Sequence, residues 1–346
     1  VGRYALSDLI DCGTRLLAAK GLDEARGRPL ARAQVEVHAF GITTHGLGVL
    51  CYLVDRVGAE IAPDAMPTVI RDRGAVVAID GDARLSVECL LAGRDLARER
   101  ARQFGVGFVS VLRCGWVGVL GYHLAAVARK GFLAMAWAQM SGWPCVAPFG
   151  GREGRLSTSP MALSFPTGDC PVVADFSTAA VSSGKVRRWA RTGHRPPEPL
   201  LLDARGRATD DPRALDAGGT ILPFGGRHYG FRGTALSLWI EALTAAAGGR
   251  PANADRKGGQ NVHILCLHVD SLAGRACYDN AMKGVLDYVL SSPPAEGADG
   301  PVLPGQREWQ RLAEARRNGL TLDDNAVAEL RKRCEALDVA MPIPAD

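Results

Sequence analysis

The sequence predicts an α/β fold of mixed α+β character, with helices at both ends and a mixed sheet between them. Apolar residues recur at helical spacing in the first sixty and last seventy positions. The middle of the chain carries short apolar or alternating runs instead, as strands of a buried sheet do. These runs do not alternate regularly with helices, so the order argues for discontinuous domains over a doubly wound βαβ array.

Taken in order, Ser7 is positioned to cap a first helix reaching about Lys20, with Leu6, Leu9, Ile10, Leu16 and Leu17 apolar and Gly21 as its stop. A second helix spans about Asp23 to Phe40, and a third follows His45 through Leu50, Leu53 and Val54. Thr68 to Asp80 reads as a hairpin around Asp72-Arg73-Gly74, and Leu85 to Phe104 as a helix charged on one face. Strands are expected at 108–112, 132–138, 161–165 and 172–175, with helices at 119–130 and 178–192. Arg195 to Phe224, rich in Pro, Gly and Asp, reads as an extended loop. A helix at 233–247, a strand at 262–269 and helices at 274–291, 306–317 and 323–337 complete the chain.

At 346 residues, 47% hydrophobic and 23% charged, the chain can build two or three lobes on a shared core. The net charge of +4 is dispersed, whereas a nucleic-acid binder gathers Lys and Arg into one stripe. The densest basic cluster, Lys185, Arg187, Arg188 and Arg191, has helical spacing and suits a solvated helix face as well as a phosphate site. None of the nine cysteines forms a CxxC pair, which favours free thiols in a reducing cytoplasm. Cys266 and His268 lack a second ligand pair, so no metal site is expected. No apolar run approaches 18 residues, so no membrane span is expected either.

The common dinucleotide signature is missing. Gly46-Leu47-Gly48 and Gly105-Val106-Gly107 lack the third glycine of GxGxxG, and there is no Walker A loop, HExxH or GxSxG. Read locally, His45 is a capping or core histidine.

The order of weaker motifs changes that reading. Thr44-His45-Gly46 follows two helices. Downstream come Ala147-Pro148-Phe149-Gly150-Gly151-Arg152-Glu153, then Ser159-Pro160 and Phe165-Pro166-Thr167-Gly168. Val173-Ala174-Asp175-Phe176-Ser177-Thr178, Gly184-Lys185, Gln260-Asn261 and Leu303-Pro304-Gly305-Gln306-Arg307 follow. In order and spacing, from about residue 5 to 340, the chain resembles the non-Rossmann malate/L-lactate dehydrogenase family. That family includes ureidoglycolate and sulfolactate dehydrogenases and a piperideine-2-carboxylate reductase.

The resemblance implies a homodimer acting on a small molecule, and the cysteine usage and lack of a targeting signal lead us to expect it in the cytoplasm; residues 1–75 and 270–346 are expected to form a helical domain around His45. Residues 76–269 would form the mixed-sheet NAD(P)-binding domain. It implies reduction of a C=O or C=N bond with NADP or NAD, NADPH being favoured. His45 would donate the proton, helped by Asp175 and Thr44. Histidine suits that task because its ordinary pKa, about 6.5, lets it give and recover a proton near neutrality. The family's cofactor contacts map onto Trp116, Val117, Gly118, Val119 and Leu120, onto Ser159 and Pro160, and onto Arg307. Lys185, Arg187 or Arg188 is expected at a phosphate.

Three departures bear on the substrate. Where the family places an Arg that grips a carboxylate, this chain has Val49. Where it has a histidine in the glycine segment, Trp116 stands. Its Gly-Tyr-Lys-Gly-Tyr-Gly becomes Gly230-Phe231-Arg232-Gly233-Thr234-Ala235, and an Asn becomes Ser159. Val49, Trp116 and Arg232 are therefore expected to meet a bulkier, less acidic substrate, a ketone or cyclic imine of specialised metabolism. The alternative is a family member that has lost redox chemistry and keeps the scaffold for binding or a non-redox step.

Overall fold

Apolar faces at helical spacing build the first lobe. In the computed structural model, which describes residues 2–82, 84–168, 170–254 and 259–344, a short strand β1 (Gly2–Tyr4) leads into helices α1 (Leu6–Ala19), α2 (Glu24–Ala39) and α3 (Leu47–Arg56). Leu9, Leu16 and Leu17 of α1 and Leu50 and Leu53 of α3 are fully buried against one another. Asp23 caps α2, its carboxylate accepting from Ala25 N at 2.9 Å. Ser7 does not cap α1. The helix starts at Leu6, which puts Ser7 inside the first turn, where its hydroxyl turns to Asp8.

The central sheet comes next. Strands β2 (Thr68–Arg73) and β3 (Val76–Asp80) form the expected hairpin. Helix α4 (Ser86–Phe104) leads to β4 (Val106–Cys114), and α5 (Leu120–Ala128) leads to β5 (Phe132–Met140), β6 (Pro160–Phe165) and β7 (Val172–Ser177). Helix α6 (Ser183–Thr192) is followed by the two-residue strands β8 (Leu201–Leu202), β9 (Ala208–Thr209) and β10 (Thr220–Ile221). The rest comprises α7 (Gly226–Tyr229), α8 (Phe231–Ala247), β11 (Gln260–His268), α9 (Arg275–Leu290), α10 (Gln306–Asn318), β12 (Leu320–Leu322) and α11 (Asp324–Ala336).

Among the described residues the main sheet has seven strands in the order β2-β3-β4-β11-β5-β6-β7. Only the β3–β4 pair is parallel, and the other neighbours run antiparallel. Strand alternation splits its faces. Ala134, Ala136 and Ala138 of β5 and Val262, Ile264 and Cys266 of β11 face α4 and α5. Met135 and Trp137 face Ile240 of α8 on the other side. Because β2 pairs into this sheet, residues 68–73 belong with the sheet and not with the helical region assigned to 1–75.

The segment 195–224 is more ordered than an extended loop. Its three short strands form a small sheet, and Leu201 and Ile221 join Val146, Leu156 and Val186 in a separate core under α6. Pairs this short carry almost no periodic signal, so Pro and Gly dominated the reading. The chain ends are likewise tied, β1 pairing antiparallel with β12 beside the helical core. No helix among the described residues is long and apolar enough to cross a membrane.

Close approach of α4 to the sheet depends on glycine. A Cβ added at Gly107 would lie 2.0 Å from the Ala97 carbonyl oxygen, and one at Gly93 would lie 2.6 Å from Val111 Cγ2. Gly107→Ala must therefore push helix and strand apart. We expect destabilisation of about 3 kcal/mol or more, read as a lower urea midpoint. An unchanged midpoint would mean that this packing is not needed.

Candidate active site

A 3-10 turn over Thr43–His45 joins α2 to α3. The glycine after it is required by contact, since a Cβ at Gly46 would sit 2.5 Å from His38 Cβ and 2.7 Å from His38 Cα. His38 in turn accepts from Leu47 N at 3.4 Å, holding the turn against α2. Thus buried His38 supports the loop that carries half-buried His45. The His45 Nδ1 atom lies 2.8 Å from Thr44 Oγ. Thr44 is its hydrogen-bond partner among the described residues, which leaves Nε2 to meet a ligand. Burial holds the His45 pKa below its ordinary value.

Trp116 closes over this turn, its ring meeting His45 edge-on at 5.2 Å and 70°. The backbone around it is pinned from two sides. Ser86 Oγ donates to the Trp116 carbonyl at 2.6 Å, and Val117 N donates to Gln260 Oε1 at 3.1 Å. Gly118 then turns with φ of 80°, a left-handed conformation that glycine adopts without strain. Tyr52, from the exposed side of α3, packs edge-on to Trp116 at 5.9 Å, and the Arg56 guanidinium lies over the Tyr52 ring at 4.6 Å. Trp116 does not fill the space. It walls a cleft of about 1000 Å³ that also reaches Ser159, Pro160 and the start of α6.

The start of α6 brings anion-binding groups to the same cleft. Ser182 caps the helix, its hydroxyl accepting from Lys185 N at 3.3 Å. Its first N–H groups lack intrahelical partners. Gly184 sits against Thr44, where an added Cβ would be 3.8 Å from Thr44 Cβ. Arg188 reaches across to Thr43 Oγ at 3.2 Å, and Arg187 lines the cleft with its guanidinium 5.1 Å over Trp143. A helix start, two arginines and a flat aromatic surface fit the anionic linker and planar bases of a dinucleotide.

Comparison with known proteins gives the family and the fold. The family model for malate/L-lactate dehydrogenase matches residues 4–331. The chain belongs to that family. A malate/(S)-sulfolactate dehydrogenase of Methanothermus fervidus is 28% identical over 94% of this chain and 96% of its own. A malate dehydrogenase of Entamoeba histolytica has the same fold, with a TM-score of 0.92 at 19% identity over 99% of both chains. The delta1-piperideine-2-carboxylate reductase of Pseudomonas syringae pvar. tomato superposes at a TM-score of 0.79 with 26% identity, covering 96% of this chain and 100% of that one. The protein is accordingly a dehydrogenase or reductase of a family that uses NAD(P)H, on a mixed α/β fold.

Within this dehydrogenase, Thr44, His45, Trp116, Val117, Gly118, Ser159, Pro160 and Arg187 do line one cleft. Ser159 adopts φ of 32°, a left-handed backbone that suits the Asn common in the family better than Ser. Other expected residues lie elsewhere. Val49 is fully buried in the helical core and offers nothing to a substrate, because its side of α3 faces α1 and α2. Arg232 is exposed on α8 with its guanidinium stacked over Tyr229 and Phe231, away from the cleft. Lys185 turns its ammonium onto the Trp189 ring. Leu120 is buried in the sheet core.

Asp175 is the main correction. Its Oδ2 accepts from Gly121 N at 2.7 Å, at the start of α5, and no hydrogen bond joins it to His45 among the described residues. It faces a second cavity of about 550 Å³, shared with Val119, Tyr122, Arg307 and Trp309. Register decides this. Asp175 pairs opposite Ala162, and its side chain emerges toward α5, where a Gly121 Cβ would lie 3.0 Å from Asp175 Cβ.

Tyr52, Arg56 and Arg113 also line the cleft and were not singled out from sequence, and Gln260 lines it too, quoted there in the Gln260-Asn261 motif without a site role. Helix period offered a signal for two of them, because Tyr52 and Arg56 are four apart on the face of α3 opposite its apolar stripe. Motif order offered one for Gln260, and Arg113 carried none.

Crowding by protein at the cavity floor pushes the Asp175 carboxyl up to about 6 from 3.8. The carboxyl still opens to the cavity, so solvent screens part of that effect. A raised folded-state pKa adds stability that is full below about 3.8 and lost as pH rises through about 6. Asp175→Asn should remove that loss. Its stability relative to the parent should rise on the order of 1 kcal/mol between pH 4 and 7, measured by urea unfolding at both pH values. Parallel curves would refute the assignment.

Proposed function

We propose that this protein reduces a ketone or imine carbon with NADPH, His45 delivering the proton through Nε2. The arrangement of His45 carries the reading. Thr44 occupies Nδ1, leaving Nε2 for the cleft that also receives the start of α6. When bound, NAD(P)H would supply the hydride, and with it the two electrons of the reduction.

The chain's own groups do the rest. Charge that develops on the substrate oxygen or nitrogen meets the imidazolium Nε2–H and takes its proton, giving the alcohol or amine. In that charged form Nδ1–H donates to Thr44 Oγ, so the hydroxyl orients the ring and stabilises the acid. Partial burial favours the neutral ring, so the acid is a strong donor. Trp116 shields one side of His45 from water. Ser182, Ser183, Gly184 and Arg187 would hold the phosphates, and Ser159 and Pro160 the neighbouring wall. NADPH is preferred to NADH in this reading because Arg187 lines the cleft at the start of α6 and Arg188 reaches Thr43 beside it, so one arginine more than the common phosphates need stands there. The names of two relatives, a sulfolactate dehydrogenase and a piperideine-2-carboxylate reductase, support C=O and C=N substrates alike. Asp175 is assigned to holding the start of α5 and not to proton transfer.

A second copy of the chain completes the proposed assembly. Leu238 and Trp239 of α8 are 57% and 54% exposed, Tyr288 of α9 is 82% exposed, and α9 buries none of its residues. Uncovered apolar surface of this kind marks an interface, and a homodimer is the proposed cover.

His45→Gln should lower kcat about 10²- to 10⁴-fold while NADPH binding, measured by calorimetry, stays the same. Because the imidazolium is the working form, reduction should slow as pH rises through a pKa below 6.5, and the reverse reaction should speed up. Full activity in the variant would remove His45 from the mechanism. Trp239→Glu should shift the sedimenting species from dimer to monomer. A parent protein that sediments as a monomer would end the dimer proposal.

A further inference from the structure

Four side chains form one continuous wall of the cleft. His45 meets Trp116 at 5.2 Å, Trp116 meets Tyr52 at 5.9 Å, and Arg56 lies over Tyr52 at 4.6 Å. The proton donor and a guanidinium thus stand at opposite ends of two aromatic rings.

We propose that Arg56 is the anion subsite of this enzyme, and that its substrate is a carbonyl or imine compound with a flat apolar body and a carboxylate several bonds from the reacting carbon. The inference rests on the reductase reading of His45 for its orientation, and on Arg56 alone for its anion. An α-carboxylate lies one bond from the reacting carbon and needs a cation beside the proton donor. Val49, the position from which such a cation would be expected, is buried in the helical core. The two intervening rings leave a gap that a flat spacer would fill by stacking or edge contact.

The other arginines of the cleft are engaged. Arg113 binds Asp80 at 2.7 Å, and Arg84 binds the carbonyl of Met66 at 2.6 Å and lies 3.7 Å from Asp80. Arg187 lies over Trp143 and 3.7 Å from Asp216, beside the start of α6. Among the described residues the ion-pair partner of Arg56 is Glu60, four residues on, and both side chains are open to water. An exposed pair of this type contributes little, and the planar fork keeps N–H donors for a bidentate carboxylate. Glu60 lines the cleft as well and competes with an incoming anion.

The test uses redox-inert 2-naphthoate and its neutral counterpart 2-naphthamide, titrated calorimetrically into the whole protein. Naphthoate should bind more tightly than the amide. Arg56→Met should weaken naphthoate tenfold or more and leave the amide unchanged, whereas Glu60→Gln should tighten naphthoate several-fold. Equal binding of the two ligands, no binding of either, or equal losses in Arg56→Met would overturn the subsite. In turnover, 4-acetylbenzoate should exceed acetophenone at least tenfold in kcat/KM, and Arg56→Met should abolish that preference. If naphthoate binding follows Arg56 but neither ketone is reduced, the subsite stands and the reductase reading fails.

Discussion

The pinned backbone of residues 114–118 is the constraint on which the site depends. It leaves β4 at the edge of the sheet core and is held by Ser86 of α4 on one side and Gln260 of β11 on the other. Two directional hydrogen bonds fix the peptide planes, and so they fix where the Trp116 ring must go. That ring then contacts His45 and Tyr52, which belong to the helical lobe. A single short segment therefore registers the helical lobe against the sheet. The sheet core beneath it tolerates little adjustment, because Gly93 and Gly107 already bring α4 into contact with the strands.

Around this constraint the molecule separates two polar tasks. His45 sits in a cleft with the start of α6, where the proposed proton donor stands beside the unpaired N–H groups of a helix start. Asp175 sits in another cavity against the start of α5, where a carboxylate is favoured by the helix N–H groups and disfavoured by crowding. The same feature, unpaired N–H groups at a helix start, thus faces an open cleft at one helix and accepts an internal carboxylate at the other. Buried His123 is a contrasting case. It has no hydrogen-bond partner among the described residues, and burial drives its pKa down to about 3, so it stays neutral throughout the working range.

Much of this was legible in the residues. Helices α1 to α3 announced themselves through apolar repeats, and the hairpin through Asp72-Arg73-Gly74. The cleft was legible in part, because Thr44, His45, Trp116 and Ser159 lie in motifs whose order matches a family. Illegible were features that depend on how elements rotate against one another. Val49 and Asp175 stand at expected places along the chain, yet one faces a core and the other a different cavity. The strands of 195–224 were too short to leave a pattern.

Local chemistry and motif order in the sequence alone determined the family, the mixed α/β class and the identity of the candidate proton donor. Such features survive in one dimension because apolar period and glycine contacts act within a few residues. Only the tertiary structure decided which arginines line the cleft, which carboxylate stays away from His45, and what holds Trp116. Those outcomes rest on contacts such as Val117 to Gln260, 143 residues apart, and on which face of α3 the core consumes. Burial of the apolar face of α3 turned Val49 inward, and the same rotation carried Tyr52 and Arg56 to the cleft.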